Sequence, residues 1–124
     1  MAAVLIVDDE PDIRMLTRLS LETEAHEVVE ASTGEHALEL AGSSAFDLVL
    51  LDIRLPGIDG WDVLKSLRTD HGPDELPIVI MSAHSSESTL IRAREEGCND
   101  YIVKPFKVDD LLRIVREQTS ARPS

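Results

Sequence analysis

The chain has one cysteine, Cys98, so no internal disulfide can brace it and a reducing compartment is expected. Cys98 follows Gly97 and has no evident activating neighbour, which reads as a small residue in a tight place rather than a reactive thiol. No apolar run approaches the roughly 20 residues that a membrane-spanning helix needs. The start, Met1-Ala2-Ala3-Val4, has no basic region ahead of an apolar stretch, so no signal peptide is expected and the predicted location is cytoplasmic. Bases are also scarce. The formal charge is −12, and residues 1–53 hold 12 acids against 2 bases, whereas residues 54–124 hold 12 against 10. A surface this acidic repels a phosphate backbone, which argues against direct DNA or RNA binding and leaves the more neutral second half as the expected place for protein partners. Internal repeats, low-complexity segments and long linkers are all missing. The 124 residues fit one domain with one real core, predicted over 1–120 with a short tail at 121–124.

What is present is an alternation, repeated five times, of short β-branched runs and helical patterns, which argues for an α/β sheet covered on both faces. Strands are predicted near 3–7, 27–31, 47–51, 77–81 and 100–103. Most of these runs are nearly unbroken in apolar residues (VLIV, LVLL, IVIM), as expected of strands buried on both sides. Between them, Pro11 suits the first turn of a helix that carries Ile13, Leu16, Ser20 and Leu21 toward the sheet. Ser32 with Glu35 makes a capping-box pattern ahead of Ala37, Leu38 and Ala41. Asp59 can cap a helix holding Val63, Leu64 and Leu67, and Ser85 or Ser86 one holding Leu90, Ile91 and Ala93. Val108, Leu111, Leu112 and Val115 follow the stripe of a last helix, after which Thr119 to Ser124 reads as a frayed end.

Chemistry gathers at the ends of four of these runs: Asp8-Asp9 after AVLIV, Asp52 after DLVLL, Ser82 after PIVIM, and Lys104-Pro105 after YIV. In a parallel sheet those ends share one edge, so residues nearly a hundred positions apart meet in one crevice. Three carboxylates packed together repel, and a divalent cation with the Lys104 ammonium is the expected compensation. Oxygen-only ligands favour Mg²⁺ over zinc. A carboxylate can also accept a phosphoryl group, with Ser82 and Lys104 as donors to its oxygens. The four histidines, His26, His36, His71 and His84, show no metal-ligand spacing.

The motifs VDDEP, LDIRLPGIDGWDVL, PIVIMSA and DYIVKPF, in this order and spacing, resemble the receiver domain of two-component response regulators over essentially the whole chain. The resemblance implies a doubly wound, flavodoxin-like three-layer sandwich with five parallel strands in the order 2-1-3-4-5. It implies that Asp52 is the phosphoacceptor, fed by a histidine kinase or a histidine phosphotransfer protein. It further implies that Asp9, Asp52 and the Arg54 carbonyl bind Mg²⁺ directly, that Asp8 acts largely through water, and that Ser82 and Lys104 contact the phosphoryl oxygens. The Lys104-Pro105 bond would be cis. Tyr101 takes the switch-aromatic position, although in an apolar strand it also reads simply as core with a wet hydroxyl. Arg54 and His84 stand where the family tunes phosphoryl lifetime by shaping water access, or they are merely solvated.

Other residues read more plainly. Asp59-Gly60 is a cap and turn, and Pro56-Gly57 is turn chemistry. Met15 and Leu19 are either a docking patch for a phosphodonor or part of a wide core stripe. Ile114 stands where receivers of winged-helix transcription factors usually carry a dimer-pairing arginine, which argues against symmetric dimerisation. The expected output is therefore a downstream protein target or output domain. The chain is expected to catalyse only its own phosphorylation and dephosphorylation. A Mg²⁺-dependent phosphatase with an aspartyl-phosphate intermediate is the alternative, but the haloacid-dehalogenase type carries DxD on its first strand, where this chain has Asp8-Asp9-Glu10. A flavin-binding module would need a phosphate-cradling loop in place of that acidic run.

Overall fold

The computed structural model describes residues 2–84 and 86–120. Five strands alternate with five helices: β1 (Ala3–Val7), α1 (Pro11–Glu22), β2 (Glu27–Ala31), α2 (Gly34–Ser43), β3 (Leu48–Asp52), α3 (Gly60–Asp70), β4 (Ile78–Ser82), α4 (Glu87–Glu95), β5 (Asp100–Val103) and α5 (Val108–Ser120). All strand pairs are parallel, in the order β2-β1-β3-β4-β5. The chain reverses its direction of winding between β1 and β3, which opens a crevice at their C-terminal ends.

Successive strand residues point to opposite faces, and this splits the apolar runs into two cores. Leu5, Val7, Val49, Leu51, Ile78 and Ile80 pack against α2, α3 and α4. Val4, Ile6, Leu48, Leu50, Val79 and Met81 pack against α1 and α5. Central strands β3 and β4 are buried at every residue. The edge strand β2, with the sequence EVVEA, departs from an unbroken apolar run because one face of it meets solvent.

β3 and β4 each lie one residue later than the sequence predicts, so that Asp52 and Ser82 are themselves strand residues, paired with Met81 and Val103. In α1 the inward positions are Thr17, Ser20 and Leu21, while Leu16 is 42% exposed. Met15 and Leu19 are more exposed still, which removes the wide-core-stripe reading of that pair. The cap of α2 is Thr33, whose Oγ1 accepts from His36 N at 3.1 Å, in place of Ser32. Asp59 does cap α3, in a reciprocal box with Asp62. Ser86 caps α4, and the alternative Ser85 lies outside the described residues, as do tail residues 121–124. Ile91 turns outward and Ala93 is the buried residue of α4. Ile114 is buried in the second core, so it offers no surface group where the related arginine would stand. Among the described residues, no helix is long and apolar enough to cross a membrane.

Gly60 proves to be more than a turn residue. A Cβ built there would lie 2.5 Å from the Ile53 Cα and against the Asp52 carbonyl, and the Gly60 amide donates to Ile53 O at 2.7 Å. The start of α3 therefore rests directly on the backbone that carries Asp52. We expect Gly60→Ala to cost about 2 kcal/mol, since backbone must shift to admit the methyl group. Thermal unfolding checks this, and an unchanged midpoint would show that the contact is slack.

Candidate functional site

The four strand ends do meet. A single pocket is lined by Asp9, Glu10, Asp52, Arg54, Ser82, Ala83, His84 and Lys104. Asp8 and Ser82 are each 1% exposed and Asp52 is 5% exposed, whereas Asp9 and Glu10 face solvent. Lys104 Nζ lies at the centre, 2.7 Å from Asp8 Oδ2, 3.1 Å from Asp52 Oδ2 and 3.3 Å from Glu10 Oε1. The bond from Lys104 to Pro105 is cis.

Local structure sets each of these groups. Asp8 extends the β1 ladder by donating its amide to Ala31 O at 3.1 Å, and its Oδ1 accepts from Glu10 N at 2.9 Å. Asp52 Oδ1 accepts from Arg54 N at 3.2 Å. Burial raises the Asp52 carboxyl above its ordinary value, and the nearby Asp8 charge adds to this, while Lys104 and the Arg54 amide act the other way. For Lys104, burial opposes the charged form, but hydrogen bonds and attraction from Asp8 and Asp52 prevail and push it up to about 12.

Asp8, Asp9, Glu10 and Asp52 each offer a carboxylate oxygen within 4.8 Å of the others, a set that could hold a metal ion. The donors are all oxygen and two of the residues are open to water, which fits a hard, water-retaining divalent cation. Among the described residues, no histidine belongs to such a group.

Ser82, His84 and Tyr101 form a short chain. Ser82 Oγ accepts from His84 N at 3.2 Å, and the Tyr101 hydroxyl donates to the His84 carbonyl. Tyr101 is half-buried and burial raises its hydroxyl pKa. Arg54 and His84 are exposed at the pocket mouth. Cys98 is half-buried and burial pushes its thiol up, in keeping with an inert packing residue.

Sequence reasoning passed over Glu10. It occupies the N-cap position of α1 without capping it, because its carboxylate reaches Lys104 instead. A cap position held by Glu before Pro11, where Ser, Thr, Asp or Asn would serve the helix better, was the available signal. Trp61 is the one tryptophan of the chain. Its ring lies under the Arg92 guanidinium, 4.1 Å from the ring centroid, and borders a groove shared with Arg54 and His84.

A doubly wound parallel sheet thus carries an acidic cluster, a buried carboxylate and a lysine together at its switch-point edge, the place where folds of this class bind their ligands. The family model for the response regulator receiver domain matches residues 4–116, and the chain belongs to that family. Relatives include the transcriptional regulatory protein KdpE of Mycobacterium tuberculosis, 39% identical over 94% of this chain and 50% of that protein. Another is the transcriptional regulatory protein SrrA of Staphylococcus aureus, 41% identical over 91% of this chain and 46% of that protein. The chain thus spans about half the length of these curated relatives. Among solved structures, a CheY-like receiver domain protein from Methanospirillum hungatei superposes with a TM-score of 0.90 at 29% identity, covering 98% of this chain and 95% of that one. The response regulator TrrA of Thermotoga maritima, solved in complex with Mg(2+)-BeF, has a TM-score of 0.84 at 36% identity, covering 95% and 99%.

Proposed function

We propose that Asp52 accepts a phosphoryl group from a histidine kinase or histidine phosphotransfer protein, in a Mg²⁺-dependent reaction that the chain catalyses only on itself. The observation that carries this is the Asp52 carboxylate: buried, backed at 3.1 Å by Lys104, and open only to a pocket rimmed by further acids. An Asp52 oxygen attacks phosphorus, the bond from phosphorus to the donor breaks, and the donor leaves with its electron pair. Asp9, Asp52 and the Arg54 carbonyl would hold the cation, with Asp8 contributing through water. Bound there, Mg²⁺ would offset the negative charge that carboxylates and phosphoryl oxygens bring together. Lys104 and the Ser82 hydroxyl donate to the phosphoryl oxygens, and Arg54 and His84 govern water access at the mouth. The Mg(2+)-BeF complex of the Thermotoga maritima relative supports pairing a cation with a phosphoryl-like group in this fold.

Output follows from the chain of contacts. Drawing Ser82 toward a phosphoryl group pulls on His84 N, and the His84 carbonyl holds the Tyr101 hydroxyl, so the change reaches the face built from α4, β5 and α5. That face engages a downstream protein or an output domain, in the cytoplasm. Met15, Leu16 and Leu19, exposed together on α1, provide an apolar patch for the phosphodonor. Incubation with acetyl phosphate and Mg²⁺ tests the reading, because an activated small donor needs only the site. Intact-mass measurement should show one phosphoryl adduct that a chelator prevents; an adduct formed equally well in chelator would overturn the Mg²⁺ requirement.

A further inference from the structure

Asp8 is held at four points: its amide on Ala31 O at the end of β2 and, within the site, its Oδ1 on Glu10 N and its Oδ2 on Lys104 make three. The fourth comes from outside the pocket. The Asp8 carbonyl lies beyond the last β1–β2 pair, Val7 with Ala31, where the ladder supplies no donor. It accepts instead from Arg14 Nη1 at 2.7 Å, and Arg14 Nε simultaneously donates to Glu30 Oε1 on β2 at 3.1 Å. The Arg14 side chain is only 19% exposed, so its fork is fixed by both partners.

Asp9 has no such restraint of its own. Its carboxylate faces solvent and makes no hydrogen bond among the described residues, so its direction depends on the backbone that carries it. The Asp8 carbonyl and the Asp9 amide share one peptide plane. A donor that fixes the carbonyl therefore fixes the plane from which the Asp9 side chain departs.

We infer that Arg14 is a positioning residue for the cation site, clamping the Asp8–Asp9 peptide against β2 so that the Asp9 carboxylate converges with Asp52. This rests on the proposed divalent-cation reading of the site. The role is geometric and separable from charge, because Arg18 shares Glu30 with Arg14 yet has no contact with the Asp8 carbonyl. Groups that orient metal ligands from behind typically cost tenfold or more in affinity when removed.

The test is Mn²⁺ uptake, followed through loss of the free-ion resonance signal and competed with Mg²⁺, alongside thermal unfolding in chelator to establish that each variant is folded. Arg14→Met should weaken Mn²⁺ binding about tenfold, whereas Arg18→Met, which removes the same charge from the same glutamate, should stay within about twofold of wild type. Arg14→Lys keeps the charge but cannot span both acceptors, and it too should bind at least about threefold more weakly; it carries the test if Arg14→Met does not fold. Wild-type affinity in the Arg14 variants overturns the inference, as does an equal loss in Arg18→Met, which would make the effect one of charge alone. A wild-type protein that takes up no Mn²⁺ is a distinct result: it removes the cation reading itself.

Discussion

Asp52→Asn should take up no phosphoryl group from acetyl phosphate and Mg²⁺ while folding more stably than the wild type. Loss of labelling follows because an amide is no nucleophile toward phosphorus, and robust labelling of the variant at another residue would sink the assignment. The stability gain follows from the pocket. Asp52 is 5% exposed and shares Lys104 with Asp8, and burial is the chief reason its carboxyl is raised above 3.8. A folded carboxyl raised in this way binds its proton more tightly than the unfolded one. The charged form therefore lowers stability above the raised value, and the deficit shrinks as pH falls toward 3.8. Asparagine keeps the acceptor for Arg54 N and removes the charge, which should gain about 1 kcal/mol, or about 4 °C in midpoint, at neutral pH in chelator. The difference should narrow on acidification. Added Mg²⁺ should stabilise the wild type more than the variant, because ligand binding to the folded state adds to its stability. A variant less stable than wild type at neutral pH in chelator would show that the Lys104 contact outweighs burial.

How far the sequence carried this picture depends on what kind of force places each residue. Strand positions were readable because burial on two faces demands unbroken apolar runs, and the polar residues ending them marked one edge. The one-residue offset of β3 and β4 has the same origin. Asp52 and Ser82 keep their ladder partners although their side chains are polar, and an apolar criterion stops one residue short of them. Helix faces were less legible where small polar residues go inward: Thr17 is fully buried and Leu16 is not, because helix-to-sheet packing at that turn admits the smaller side chain. Thr33 in place of Ser32 is a choice between adjacent hydroxyls that only backbone geometry makes. The motifs at the strand ends located Asp8, Asp9, Asp52, Ser82 and Lys104 at one edge. Glu10, Gly60 and Arg14 escaped because their roles rest on approaches between elements: to Lys104 from a helix cap, to Asp52 from the start of α3, and to the Asp8 carbonyl from α1. No periodicity records such approaches.

Lys104→Ala should be the most damaging substitution in the pocket for the metal-free protein. The ammonium is the cation that three carboxylates share, with its side chain 9% exposed and those of Asp8 and Asp52 at 2% and 6%. Removing one member of a buried ionic cluster leaves charges without compensation, at a cost of about 3–5 kcal/mol. The lysine's own proton balance adds no pH dependence to this cost at neutral pH, and the cost should shrink only on acidification, as Asp52 takes up its proton. Lys104 is raised to about 12, so the stability it supplies is complete below its ordinary 10.5 and is lost only as pH rises through about 12. Chemical denaturation in chelator measures the loss, and a loss under about 1 kcal/mol would reduce Lys104 to a surface charge. Mg²⁺ should restore part of the stability, since a divalent cation offsets the same acids. Phosphorylation behaves differently, because the nucleophile survives. The variant should still gain a phosphoryl group from acetyl phosphate, but more slowly, and without the change in Trp61 fluorescence expected on phosphorylation of the wild type. Trp61 borders the groove that contains Arg54 and His84, so it senses movement of the Ser82–His84 segment directly. With no ammonium to hold the phosphoryl oxygens in place, the pull on Ser82 is lost and His84 keeps its resting hold on Tyr101. A full wild-type fluorescence change in phosphorylated Lys104→Ala would show that Ser82 and the cation suffice to drive the switch.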